Sequence, residues 1–264
     1  MSSIEEINRI QAFLRANARN QYESVALPPF TLFFHPSSPV KYFNYAIPDA
    51  PAGGELGDVL AELRAIFKER GRTARFEFFE AFAPALPDAL LKNGFSEEFR
   101  QWSMICTPDT LLPAAAVPDL EVVALRPDSP ATDVRDYILA QRQGFNPADS
   151  TLPSDYDMVQ ARLDFMVSGW QPFLARVAGE PAGAAVFSRP IDGVSEVAGI
   201  ATCLPFRRRG IGSLLAWRAT SAAFEQGVQA ACLTAADENA GRLYARLGYR
   251  PFSTMLAFID GDAA

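Results

Sequence analysis

Histidine is almost missing from this 264-residue chain, with a single residue, His35. That removes most metal-ligand sets and most histidine-based acid–base or nucleophilic catalysis. A Cys–His pair would have to carry Cys203 or Cys232 to His35, and the setting Phe33-Phe34-His35-Pro36 reads as structural. Cysteine is scarce as well. Cys106, Cys203 and Cys232 are odd in number and show neither paired nor metal-like spacing, so no disulfide framework and no metal are expected. Cys203 and Cys232 fall on expected core strands, where a small buried hydrophobe is the usual reading. Basic charge is in deficit, 24 Lys and Arg against 31 Asp and Glu for a net −7, which argues against nucleic acid or an anionic membrane as partner. No apolar run approaches the ~18 residues of a membrane span, and the start Met-Ser-Ser-Ile-Glu-Glu is polar and acidic. A cytoplasmic, globular protein is the expectation. With 49% apolar and 21% charged residues, the chain can bury the core of one large domain or two modest ones.

Against this acidic background stands Arg207-Arg208-Arg209-Gly210-Ile211-Gly212. It follows an extended stretch at 196–203 and opens an amphipathic helix expected over 213–226. A strand, a glycine-punctuated loop and a helix N-terminus, in that order, form an anion cradle, because unpaired N–H groups and the helix dipole face the incoming phosphate. Gly210 and Gly212 let the backbone come close to a bulky diphosphate, and arginines add charge-assisted contacts. A P-loop is excluded because no lysine follows the glycines. A dinucleotide fingerprint is excluded because Leu215 stands where its third glycine belongs.

A second motif lies beyond the next strand: Asp237-Glu238-Asn239-Ala240-Gly241-Arg242-Leu243-Tyr244-Ala245-Arg246-Leu247-Gly248-Tyr249. Asp237 is placed as an N-cap, and Ala240, Leu243, Tyr244 and Leu247 make one apolar stripe. Gly248 suits the left-handed C′ position. The spacing alone leaves Tyr244 open as a core tyrosine.

The two motifs together, Arg-x-x-Gly-x-Gly after a strand and then Leu-Tyr-x-x-Leu-Gly-aromatic, resemble the GNAT superfamily of N-acetyltransferases. The resemblance implies a transferase with acetyl-CoA as co-substrate and no metal. Arg207, Arg208, Arg209, Gly210, Ile211, Gly212 and Ser213 would hold the CoA diphosphate, and Ile200, Ala201 and Thr202 would face pantetheine. Tyr244 would protonate the leaving thiolate, and backbone N–H groups of the strand would polarise the carbonyl. Members often place an asparagine where Asp237 stands; here the nearest is Asn239. Glu196, at the head of the pantetheine strand, is the candidate base acting through water. Asp155 and Asp157 are alternatives, and an amine of low pKa needs no base at all. The acceptor is expected to be a small-molecule amine, with Phe145, Tyr156, Phe165 and Trp170 available to line its pocket or to pack the core. A non-catalytic acyl-CoA-binding or regulatory module, a longer acyl donor, and a mainly structural protein are the rival readings.

The expected fold is α/β with a mixed sheet, the acyl-CoA N-acyltransferase fold, in tandem GNAT-like halves of which the N-terminal one is partial. In the second half we expect strands at 120–125, 173–177, 182–188, 196–203, 231–235 and 252–259. Helices are expected at 133–143 and 155–168, separated by a loop at 144–153. The first half echoes this with a strand at 41–47, helices at 56–70 and 87–93, and strands at 76–80 and 101–106. Its Gly94-Phe95 repeats Gly248-Tyr249. Its glycine loop, Gly53-Gly54-Glu55-Leu56-Gly57, carries a carboxylate and no arginine, and Leu90 or Leu91 stands where Tyr244 would be. Residues 1–112 therefore read as a non-catalytic domain, 119–264 as the catalytic one, and 113–118 as their linker within the Pro- and Ala-rich stretch 107–118. A helix at 1–24, with Ile4, Ile7, Ile10 and Leu14 on one face, is read as packing, with a homodimer interface left open.

Overall fold

The computed structural model describes residues 3–167 and 169–261. The start of the expected N-terminal helix (residues 1–2), the end of the 155–168 helix (Ser168) and the tail 262–264 lie outside the described residues.

The first half of the chain forms α1 (Ile4–Gln21), β1 (Glu23–Leu27), β2 (Phe30–Phe34), β3 (Asn44–Pro48), α2 (Gly57–Glu69), β4 (Arg75–Phe79), α3 (Leu86–Lys92) and β5 (Phe95–Cys106). The second half begins with β6 (Leu120–Ala124), α4 (Ala131–Phe145), α5 (Asp155–Val167), β7 (Gln171–Val177) and β8 (Glu180–Phe187). It continues with β9 (Val194–Thr202), α6 (Ile211–Glu225), β10 (Ala230–Ala235), α7 (Glu238–Arg246) and β11 (Arg250–Asp260). Short 3-10 turns occupy Lys41–Phe43 and Leu204–Phe206.

These elements gather into two compact units: Met1–Ser103 with Thr234–Asp237 and Pro251–Ala264, and Met104–Leu233 with Glu238–Arg250. The division is not a single cut, since the chain returns to the first unit for its final strand. In that unit β1, β2 and β3 form an antiparallel meander and β3 runs parallel to β4. β11 lies antiparallel against β4, from Met255 opposite Phe79 to Ile259 opposite Arg75. The core is phenylalanine-rich. Phe30, Phe76, Phe78 and Phe258 are fully buried, and Phe30 meets Phe76 edge to face at 5.0 Å. Arg75 is also fully buried. Its charge is met by Glu77 at 2.7 Å and Glu98 at 2.6 Å, as burial of a guanidinium requires.

The second unit is a mixed sheet in which β6, β7, β8 and β9 are successively antiparallel and β9 is parallel to β10. The β7–β8 hairpin closes through Ala178 and Gly179, both with positive φ (50° and 85°), the geometry whose twist matches the flanking strands. α4 and α6 both pack on β8 and β9. Most of α6's buried side chains are small: Ala216, Ala219, Ala222 and Ala223 line it together with Ile211 and Leu215. That lets the helix lie close over the strands whose ends carry the cradle.

Several expectations need correction. The β1–β2 hairpin was not foreseen. The strand expected at 41–47 is a 3-10 turn followed by β3, and the strand expected at 101–106 starts six residues earlier at Phe95. Gly144 and Phe145 belong to α4 rather than to a loop. A Cβ at Gly144 would stand 2.5 Å from the Ala201 Cβ, so this glycine serves close helix–strand packing instead of ending the helix. Ile211 and Gly212 likewise belong to the first turn of α6.

Candidate active site

β9 is the backbone of the site. It pairs with β10 over only three residues, Val194 to Glu196 opposite Ala230 to Cys232. β9 then runs on to Thr202, and among the described residues no further β10 pairing accompanies it. From Val197 onward one edge of β9 therefore has backbone groups to offer to something other than β10. On its other edge the register against β8 slips between Ala184 and Val186, where Gly199 takes φ +59°; this is a glycine β-bulge. The bulge is fastened from α4, whose Gln141 Nε2 donates to the Gly199 carbonyl at 2.9 Å. Neither Gln141 nor Gly199 was singled out from the sequence, although a glycine inside a strand pattern is a recognised bulge signal.

Beyond β9 the chain makes the 3-10 turn and the arginine run, and α6 begins. Gly210 is its N-cap, left-handed at φ 85°, and no side chain caps the helix. Its first turn carries no acidic residue. The leading N–H groups of α6 thus stay available, and the dipole end is not neutralised from within. Arg208 and Arg209 are exposed, and among the described residues no hydrogen bond or ion pair engages their side chains. Arg209 stacks 5.6 Å from the Phe206 ring centroid. Arg207 is different. Its Nε donates to the Thr202 carbonyl at 3.1 Å and its Nη2 to the Gly144 carbonyl at 2.9 Å. The structure turns this arginine back along the protein.

α7 brings Tyr244. The helix closes with a Schellman motif: Tyr249 N–H donates to the Tyr244 carbonyl at 3.1 Å, Gly248 N–H to the Ala245 carbonyl at 3.1 Å, and Gly248 has φ 93°. Tyr244, Gly241 and Leu247 are buried on one face. The Tyr244 ring packs against that of Tyr249 with centroids 6.1 Å apart. Tyr249 OH meets Thr220 Oγ1 of α6 at 2.6 Å, and Thr220 in turn donates to the Ala216 carbonyl. Burial pushes the Tyr249 phenol well above its ordinary range, so it remains protonated and is a packing group.

Glu196 is the last β9 residue paired with β10, at the root of the opening, half-buried, with its backbone held by Ser188 on both sides. Its neighbour across the strands is Cys232, whose thiol is raised well above its usual value by burial first and by Glu196 second. Cys203 is packed among Leu125, Ala140, Leu174 and Ala184. Both cysteines are protonated core groups.

Asp157 is engaged elsewhere. It forms a reciprocal cap with Ser154, whose N–H and hydroxyl each donate to Asp157 Oδ2 at 2.8 Å while Asp157 N–H donates back at 3.2 Å. Arg142 pairs with it at 2.8 Å. The Ser154 backbone and side-chain bonds and Arg142 lower its pKa, which makes it a poor proton acceptor. Asn239 is exposed and accepts from Arg242 at 2.7 Å. Of the four aromatic candidates, Phe165 packs on the core beside Tyr137, Trp170 is half-buried, and Phe145 and Tyr156 are exposed. His35 lies in the first unit, accepting at Nδ1 from the Ser37 and Ser38 N–H groups. Among the described residues no three His, Cys, Asp or Glu side chains are grouped as a metal site, and no helix is long and apolar enough to cross a membrane.

Residues 137–249, the span that holds β9, the cradle and α7, match the family model for acetyltransferases of the GNAT family. This segment is a GNAT domain. The whole chain is similar in structure to a GCN5-related N-acetyltransferase from Kribbella flavida, with 24% identity, 97% of this chain and 96% of that one covered, and a TM-score of 0.78. It is also similar to a GCN5-related N-acetyltransferase from Sphaerobacter thermophilus (17% identity, 94% and 84% covered, TM-score 0.65). A third similar structure is a tandem GNAT protein from the clavulanic acid biosynthesis pathway (14% identity, 99% and 97% covered, TM-score 0.65). No curated protein matches. At these identities the likeness concerns the fold. It is the mixed α/β acyl-CoA N-acyltransferase fold, in tandem GNAT-like halves with the N-terminal one partial. GNAT enzymes are acyltransferases that generally take an acyl-CoA as co-substrate.

Proposed function

We propose that the protein is an acetyl-CoA-dependent N-acetyltransferase acting on a small-molecule primary amine. The observation that carries this reading is the uncapped start of α6, reached from a strand that leaves its parallel partner after three residues. A diphosphate fits the N–H groups of Gly210, Ile211, Gly212 and Ser213, with Arg208 and Arg209 beside them, and the unpaired edge of β9 at Ile200, Ala201 and Thr202 suits the amides of pantetheine. Residues 119–264 then carry the chemistry, and 1–112 form a non-catalytic relative joined through 113–118. Three free, buried thiols fit a reducing, cytoplasmic setting.

In this reading the amine nitrogen attacks the thioester carbonyl directly, and the new C–N bond gives a tetrahedral oxyanion held by β9 N–H groups. The C–S bond then breaks. Tyr244 delivers its proton to the departing thiolate, and Glu196 takes the ammonium proton through a water molecule. Asn239, already bonded to Arg242, sits at the mouth of α7 as a secondary contact to CoA.

Thermal unfolding with and without acetyl-CoA tests the cofactor. At ~100 times its dissociation constant a specific ligand adds roughly 2.7 kcal/mol, a shift of several degrees. No shift with acetyl-, propionyl- or succinyl-CoA would remove the enzymatic reading. With an acceptor found by amine screening, Tyr244→Phe is expected to lower kcat by about 10²-fold or more while leaving the CoA-induced shift in place. An unchanged kcat would end the general-acid assignment.

A further inference from the structure

The arginine that opens the Arg-x-x-Gly-x-Gly run points away from the cradle, toward two backbone carbonyls. Gly144 lies in the last turn of α4, where carbonyls lack intrahelical partners and the dipole is negative, so a guanidinium there is doubly favoured. Thr202 is the last residue of β9. One planar group therefore bridges the end of the helix and the end of the strand. Other contacts run along the same seam. Gln141 Nε2 holds the Gly199 carbonyl, Cys203 Sγ lies 3.9 Å from the Ala140 carbonyl, and the missing Cβ of Gly144 admits Ala201 and Thr202. Arg207 closes that seam at the point where β9 must turn into the phosphate loop and α4 must turn into the loop before α5. Its neighbours Arg208 and Arg209 are bound to nothing polar among the described residues.

We propose that Arg207 is a positioning residue, which fastens the end of β9 to the last turn of α4 and fixes the loop that follows, while phosphate charge is met by Arg208, Arg209 and the α6 amides. The second clause rests on the acetyl-CoA reading; the fastening does not. Losing two charge-assisted hydrogen bonds frees both chain ends.

The full-length protein carrying Arg207→Ala is compared with wild type and Arg209→Ala by amide hydrogen exchange and by the salt dependence of CoA affinity. Arg207→Ala is expected to speed exchange at residues 144–146 and 203–206 by roughly tenfold or more, and to leave the slope of affinity against ionic strength unchanged. Arg209→Ala is expected to do the reverse, leaving exchange unaltered and flattening the slope. Unaltered exchange in Arg207→Ala together with a flattened slope would overturn the proposal and return Arg207 to the phosphate. If wild type has no affinity for CoA, the acetyltransferase reading fails, and exchange at 144–146 and 203–206 still decides whether Arg207 is a fastener.

Discussion

α2 and α6 begin in much the same way and end up with opposite chemistry. Each follows a strand that runs parallel to the next one, β3 to β4 and β9 to β10, and each is approached through a glycine at φ near +80°. Before α6 the loop supplies three arginines, and neither a capping side chain nor an acid occupies the first turn. Before α2 the loop supplies Glu55, the first turn holds Asp58, and Leu56 at the N-cap is buried. Gly53 is committed to packing, since a Cβ there would stand 2.5 Å from that of Ala85. The backbone path to an anion site, with a helix start that no side chain caps, survives in the first unit, but its positive charge does not. A βα turn is therefore necessary but insufficient; the residues flanking the glycine decide whether an anion is welcome. A third helix start sharpens the point. α5 is closed by its own Ser154–Asp157 pair, so its dipole is answered internally.

The largest effect expected from testing this contrast comes from separating the halves. A fragment of residues 119–264 keeps β11 but loses β4, the strand on which Met255 to Ile259 pair. Aggregation or loss of cooperative unfolding is expected, checked by circular dichroism and thermal melting; a soluble, cooperatively melting fragment would mean that β11 can find another partner. Next comes a matched pair of glycine replacements. Gly54→Val and Gly210→Val each force a β-branched residue to φ near +80° and should each cost about 1–3 kcal/mol of stability in urea unfolding. Only Gly210→Val should abolish the acetyl-CoA-induced shift. Loss of the shift in Gly54→Val would break the comparison. The smallest effect belongs to α5. Asp157 has a lowered folded-state pKa, so its contribution is present above the ordinary carboxylate value of about 3.9 and is lost as the pH falls through the lower, folded one. Amide exchange at residues 155–158 should quicken below that ordinary value in wild type and be fast at all pH values in Asp157→Ala, by about 1 kcal/mol of local capping energy.

The parts of the fold written in local signals were legible. The α6 and α7 segments, the Gly248 turn and the Gly94 echo rest on periodicity and left-handed glycines, which a sequence displays directly. β1 and β2 were missed because Pro28-Pro29 interrupts them and Phe-Thr-Leu-Phe-Phe shows no alternation, all five positions of β2 being buried. The end of α4 was missed because Gly144 reads as punctuation, while the reason for it, Ala201, lies far along the chain. The same limit applied at the site. The order of strand, arginines, glycines and tyrosine was visible, whereas the direction of the Arg207 side chain and the hold of Gln141 on the Gly199 bulge depend on α4 meeting β9.

The pairing of β11 with β4 also sets a timetable. β4 is made when fewer than a third of the residues have been joined, yet the strand that covers its edge ends at Asp260. Until β11 clears the ribosome, the first unit carries a phenylalanine-rich strand with an open ladder. Ribosomes stalled anywhere between Cys106 and Arg250 should therefore hold a nascent chain that chaperones bind and proteases cut, and emergence of β11 should end that exposure in one step.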